Sequence, residues 1–230
     1  MSSIRDNIER LRNEIADTCV HAGRSPEEVT LVGVTKFVPV DRIQKAVDAG
    51  LETFGENRVQ EARDKIPRIR GEVAWHMIGH LQRNKVRTAV GLFRMIQSVD
   101  SIGLAGEIDK RCSERGRVMD VLVEVKTARE ETKFGVEPEK AIDLMGGISE
   151  FSGIAVKGLM TIGTFTDEES EIRSCFRQLR KLGEEVRALR IPGVDMQFLS
   201  MGMSSDFKIA IEEGSSMVRI GTAIFGVRPD

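Results

Sequence analysis

Apolar positions in this chain recur with two periods, and the periods alternate. Near the start, Ile4, Ile8, Leu11 and Ile15 stand three or four residues apart, which puts them on one face of an α-helix. The stretch "SPEE" follows at 25–28, with Ser25 as a cap, Pro26 at the first helical position and Glu28 closing a capping box. A strand is predicted at 30–35. Beyond it, short apolar runs lie near 52–55, 73–78, 94–99, 120–125, 154–161, 196–200 and 216–221, with helical patterns between them. Val40, Ile43 and Val47 mark one helix, ending at Gly50. Ala105, Ile108 and Cys112 mark another, after Ser101. Ile172, Phe176, Leu179, Leu182, Val186 and Leu189 mark the longest, with a second capping box predicted at "TDEE", 166–169.

Eight strand candidates alternating with helices imply a parallel sheet. Eight such units in about 200 residues fit a (β/α)8 TIM-type barrel with an extra N-terminal helix. A doubly wound open sheet is the competing arrangement. No linker, low-complexity segment or repeat divides the chain, so residues 1–230 read as a single barrel domain.

Composition narrows the class. The chain is 40% hydrophobic and 30% charged, as expected of a globular protein. No apolar run approaches the roughly 18–20 residues of a membrane span. The opening "MSSIRDNIERLRNEI" is charged and amphipathic, unlike a signal peptide, so a cytoplasmic location is expected. A net charge of −2 offers no electrostatic case for nucleic acid. Cys19, Cys112 and Cys175 are far apart, odd in number and without CxxC spacing, which argues against a disulfide framework and a zinc site. The chain contains no tyrosine.

The chemistry of a barrel sits at the C-terminal ends of its strands. The first strand runs "LVGVTKFVP" and ends on Lys36. Alternation places Val32, Val34 and Lys36 on one face, so an inward Val32 and Val34 would aim Lys36 into the barrel mouth. A lysine there loses hydration, which favours the neutral amine, and a neutral amine can attack an aldehyde to form a Schiff base. From spacing alone, a snorkelling lysine, or half of an ion pair, is the more ordinary reading. The last two strands end in "SMGMSSD" and "RIGTAIFG". Ser200, Gly202, Gly221 and Thr222 are small or hydroxylated, and Ser204 or Ser205 is placed to cap the next helix. Such loops are the usual phosphate site of a barrel, although ordinary turns use the same residues. Arg219 shares its face with Met217 and should also point inward, needing a carboxylate or a ligand as partner. Asn57 could face a ligand or cap a helix. His76 and His80 would form a metal pair only on one shared helix, and a strand should turn into a helix between them at Gly79, so no metal is expected. Arg83, Lys85 and Arg87 form a solvated helix face or a secondary anion patch.

Seven stretches, "LVGVTKFVP", "FGENRVQEA", "WHMIGHLQRNKVR", "MIQSVDS", "KFGV", "GLMTIG" and "SMGMSSDFKIAIEEGSSMVRIGTAIFG", run in order from residue 31 to 226. Together they resemble the pyridoxal phosphate homeostasis protein family, whose members look like the N-terminal barrel of alanine racemase standing alone. The resemblance implies that Lys36 holds pyridoxal 5′-phosphate as a Schiff base. It implies phosphate contacts at Ser200, Met201, Gly221 and Thr222, Arg219 facing the pyridine nitrogen, and Asn57 near the ring. It is less specific about His76. Thr35 stands where the family often has serine, and Lys126 and Arg129 make the loop after the fifth strand more basic than usual.

An arginine opposite the pyridine nitrogen should leave that nitrogen unprotonated and the electron sink weak. Alanine racemase resembles the chain here, but it also takes a tyrosine from an additional β-domain, and this sequence offers no tyrosine. The resemblance therefore implies a carrier or buffer of pyridoxal 5′-phosphate that supplies other enzymes. A weak racemase-like enzyme on the same cofactor is the alternative. A phosphosugar barrel enzyme with Lys36 as Schiff-base former is a third reading. Pyridoxal-phosphate-dependent apoenzymes are the expected partners, and monomer and weak dimer are both compatible.

Overall fold

The structure, a computed structural model, describes residues 3–128 and 134–226. In chain order the elements are α1 (Ile4–His21), β1 (Thr30–Val34), α2 (Val40–Asp48), β2 (Thr53–Glu56), α3 (Val59–Lys65), β3 (Ala74–Met77), α4 (Val86–Leu92), β4 (Met95–Val99), α5 (Ile102–Ser113), β5 (Met119–Glu124), α6 (Pro138–Ile148), β6 (Ile154–Met160), α7 (Glu169–Leu189), β7 (Val194–Ser200), α8 (Phe207–Glu212), β8 (Met217–Ile220) and α9 (Thr222–Phe225). The eight strands form a closed barrel in sequence order. Parallel pairing of β1 with β8, from Thr30 opposite Met217 to Gly33 opposite Ile220, closes the ring. That closure rules out the doubly wound sheet.

Strand alternation sorts the apolar residues into two cores. Val32, Met95, Leu122, Met160 and Met217 fill the barrel interior. Residues of opposite parity, among them Phe54, Ile96, Val121 and Val123, pack outward against helix faces carrying Ile43, Ile108, Phe176 and Leu179. Burying each such side chain contributes about 1.5–3 kcal/mol relative to leaving it exposed.

The extra helix has a structural role in the ring. Helices α8 and α9 are only six and four residues long. α1 packs beside α2, α8 and α9, buries Ile4, Ile8, Leu11 and Ile15, and fills the gap that the short helices leave. A capping box fixes its start: the Ser3 hydroxyl accepts from the Asp6 N–H at 3.1 Å, and the Asp6 carboxylate accepts from the Ser3 N–H at 2.9 Å. No helix among the described residues is long and apolar enough to cross a membrane.

Three local expectations are corrected. The box at "TDEE" does not form: the Thr166 hydroxyl accepts from the Glu168 N–H at 3.2 Å and α7 begins only at Glu169, after Glu168. Helix α8 is preceded by Asp206, not by Ser204 or Ser205; the Asp206 carboxylate takes the Met203 N–H and closes the loop before the helix. No helix starts at Gly79: β3 ends at Met77, a 3-10 turn spans Arg83–Lys85, and α4 starts at Val86.

Candidate functional site

Above its apolar floor, the barrel interior turns polar. Arg219 is two residues past Met217 on β8 and keeps its inward parity; it is 5% exposed. Its guanidinium donates to the Ser200 hydroxyl and to the Thr161 carbonyl, both at 2.7 Å. Ser200 passes the chain on, donating to the Gln97 amide oxygen at 2.7 Å. The Gln97 amide nitrogen lies 2.9 Å from His76 Nδ1. Four strands, β3, β4, β7 and β8, are tied together by this relay. Burial and the nearby Arg94 push the His76 imidazole down to about 4, so it stays neutral at ordinary pH. Burial also lowers the Arg219 guanidinium to about 10, against the favourable field of Glu124 and Asp206; it remains a cation.

Lys36 lies just past the end of β1, half-buried. Among the described residues its ammonium makes no hydrogen bond or ion pair; it stands 5.3 Å from the centre of the Phe37 ring. Neither the ion-pair reading nor complete desolvation describes it.

Lys36 and Arg219 both line a mouth cavity of ≈ 690 Å³, a size suited to a small-molecule ligand. Asn57, Gly221 and Thr222 line it too, with Arg42, Met203, Ser204 and Ser205. Asn57 does not cap α3, since Arg58 holds that position; its buried Oδ1 has no hydrogen-bond partner among the described residues. A buried polar oxygen without a partner at a cavity wall is compatible with a ligand donor. Every ionisable side chain lining the cavity among the described residues is a cation: Lys36, Arg42 and Arg219. The field therefore favours an anionic ligand.

Ser200 and Met201 stand behind this wall. The Ser200 hydroxyl is engaged by Arg219 and Gln97. Met201 buries its side chain in the outer core and gives its N–H to the Met217 carbonyl at 3.1 Å. Between them and the cavity, Gly202 makes the turn, at φ 96°. A Cβ there would lie 2.5 Å from that of Ala210, so only glycine fits.

The histidines do not share a helix: His76 is inside β3, whereas His80 is on the rim, stacked on Phe134 at 3.8 Å. Arg83 and Arg87 are exposed and Lys85 is half-buried. Lys126 pairs with Glu137 at 2.9 Å. Arg129 lies outside the described residues.

Sequence reasoning missed Arg42, Gln97 and Glu56. Gln97 had a usable signal: it is polar within the apolar run "RMIQSV" and shares parity with Met95. Glu56 is fully buried on the outer face of β2. Burial raises its carboxyl, while Lys65 and Thr35 oppose the shift.

A family model described as "Alanine racemase, N-terminal domain" matches residues 1–229. The chain is 42% identical over 224 residues to the pyridoxal phosphate homeostasis protein of Aquifex aeolicus, covering 97% of each. Among solved structures, it is similar to PipY of Synechococcus elongatus with PLP bound, at a TM-score of 0.85 and 32% identity, covering 97% of this chain and 100% of that one. It also matches alanine racemase of Clostridium difficile at a TM-score of 0.79 and 15% identity, covering 99% of this chain and 57% of that one; at that identity the likeness concerns the fold alone.

Proposed function

Because the chain belongs to the pyridoxal phosphate homeostasis protein family, we propose that it binds pyridoxal 5′-phosphate as a Schiff base on Lys36 and acts as a cytoplasmic carrier that buffers the cofactor for dependent apoenzymes. When bound, the cofactor supplies an aldehyde that condenses with an amine, with loss of one water. The observation that carries the proposal is the contrast inside one cavity: a rim lysine whose amine makes no hydrogen bond or ion pair among the described residues and, on the neighbouring strand, a guanidinium fixed in the wall.

The residues present fit the group. Lys36 offers the amine, and Asn57, which lines the same cavity, offers an acceptor in its Oδ1. Gly221 and Thr222 face the cavity with backbone and hydroxyl for a phosphate. Ser200 and Met201 contribute as the framework of that wall, Ser200 by holding Arg219 and Met201 through its backbone bond to β8. Arg219 donates and cannot accept, so a ring nitrogen facing it stays unprotonated.

Carrier function is favoured over racemisation by the lining. Racemisation needs a proton donor or acceptor on each face of the substrate carbon. Among the described residues, the cavity wall carries no carboxylate, imidazole or phenol to serve opposite Lys36. The test is the visible absorbance of the purified protein mixed with pyridoxal 5′-phosphate, beside Lys36→Ala. Colour that survives desalting and disappears in the variant supports the proposal. A colourless wild-type protein overturns it and makes sugar phosphates the next ligands to test.

A further inference from the structure

Among the described residues nothing bonds the Lys36 amine, yet the backbone on both sides of it is held tightly. Phe37 adopts φ 61°, a left-handed conformation that a bulky residue keeps only when its surroundings impose it. The Phe37 N–H donates to the Glu61 carboxylate at 3.0 Å. Lys65, one helical turn further along α3, spends all three of its protons. They go to the same Glu61 oxygen at 2.8 Å, to the Thr35 carbonyl at 2.8 Å and to the Glu56 carboxylate at 2.7 Å. The Thr35 hydroxyl donates to that same Glu56 oxygen at 2.7 Å, and the Val38 N–H returns to the Thr35 carbonyl at 2.9 Å.

These bonds grip residue 35 and residue 37, and none touches the side chain between them. They lie on the outer side of the barrel, on β2 and α3, whereas the Lys36 side chain lines the mouth. The network is also expensive to build. It buries Glu56 completely and leaves its second oxygen, Oε2, without a partner among the described residues. A buried, half-satisfied carboxylate costs stability, and here its bonds fix the backbone at residue 35.

We propose that Glu56, Glu61 and Lys65 are positioning residues for the Lys36 amine: they form a clamp that forces Phe37 into the left-handed region and so aims Lys36 into the cavity. The inference rests on the reading of Lys36 as the aldehyde-binding group. Glu61 is the member to remove, because it is partly exposed and its loss leaves the Lys65–Glu56 pair intact. Glycine at position 37 adopts a positive φ without help, so it should make the clamp unnecessary.

The experiment is a double-mutant cycle of Glu61→Ala and Phe37→Gly with two readouts. One is the affinity for pyridoxal 5′-phosphate by absorbance titration. The other is the rate at which trinitrobenzenesulfonate labels Lys36 in the cofactor-free protein, read by peptide mass spectrometry. In the natural background, Glu61→Ala should weaken cofactor binding about tenfold, as expected when a strained backbone is released, and change the labelling rate of Lys36. In the Phe37→Gly background the same substitution should change both by less than about threefold. Equal effects of Glu61→Ala in the two backgrounds overturn the clamp, as does no effect in either. If the wild-type protein itself fails to bind the cofactor, the reading of Lys36 falls, and the labelling cycle still decides whether the clamp controls the amine.

Discussion

Two cations face the same cavity and are held in opposite ways. Arg219, on the β7–β8 wall, is held by its side chain: both ends of the guanidinium are bonded, to Ser200 and to Thr161. Lys36, on the β1 rim, is held by its backbone, with no hydrogen bond to its amine among the described residues. The difference teaches what each can do. A cation anchored through two of its five donors is a fixed charge that can orient a ligand with the others. A cation with its donors free can change protonation and make a covalent bond. The barrel supplies one of each on the paired strands β1 and β8, beside a cavity of ligand size.

The largest expected effect breaks this contrast at the wall. Arg219→Met should lower stability by about 1–3 kcal/mol, because it strips donors from two buried acceptors, the Thr161 carbonyl just past β6 and the Ser200 hydroxyl at the end of β7. Lys36→Met should leave stability within about 0.5 kcal/mol of wild type, because the amine makes no hydrogen bond or ion pair among the described residues. Urea unfolding midpoints of the two variants measure both. An Arg219→Met protein as stable as wild type would mean that the guanidinium serves the ligand alone and contributes nothing to the wall.

A second experiment sharpens the comparison through Glu124, which shares inward parity with Leu122 on β5. Burial, and then the nearby Asp100, raise its carboxyl from 4.5 to about 7, while Arg219 pulls the other way. A carboxyl whose folded value is raised favours the folded state while it is protonated. That contribution is complete below pH 4.5 and is lost as pH rises through about 7. The thermal midpoint of wild type should therefore fall relative to Glu124→Gln across that window and run parallel to it outside. Parallel curves throughout would show that Glu124 does not titrate beside Arg219.

The two cations were legible in the sequence for the same reason. Period two extends an inward face from Val32 to Lys36 and from Met217 to Arg219, so the strands themselves announce where both side chains go. What supports them was not legible. Lys65 reaches back to the Thr35 carbonyl across thirty residues, and nothing in "EARDK" distinguishes that lysine from a solvated one. The "SSD" run before α8 contains three residues able to cap, and the choice of Asp206 depends on its bond to Met203, a loop geometry that no propensity records. The box at "TDEE" failed similarly: Thr166 found its acceptor role one residue early, and α7 started where the loop from β6 delivered it. Strand faces follow from alternation within a few residues, whereas clamps and caps depend on which distant atoms the fold brings into reach.

The smallest expected effect concerns Thr222, which is exposed at the cavity edge. If its hydroxyl donates one hydrogen bond to the phosphate of pyridoxal 5′-phosphate, Thr222→Ala should weaken binding by roughly 0.5–1.5 kcal/mol, or about two- to tenfold. Pyridoxal without the phosphate offers the same aldehyde to Lys36 and nothing to Thr222, so its affinity should be unchanged by the substitution. Titrating both ligands against both proteins separates the rim from the wall. A loss that appears for the phosphorylated ligand alone assigns Thr222 to the anion and leaves covalent capture to Lys36. An equal loss for both ligands would mean that the β8 end acts on the amine, and that the division of labour between the two cations does not extend to the neutral side chains around them.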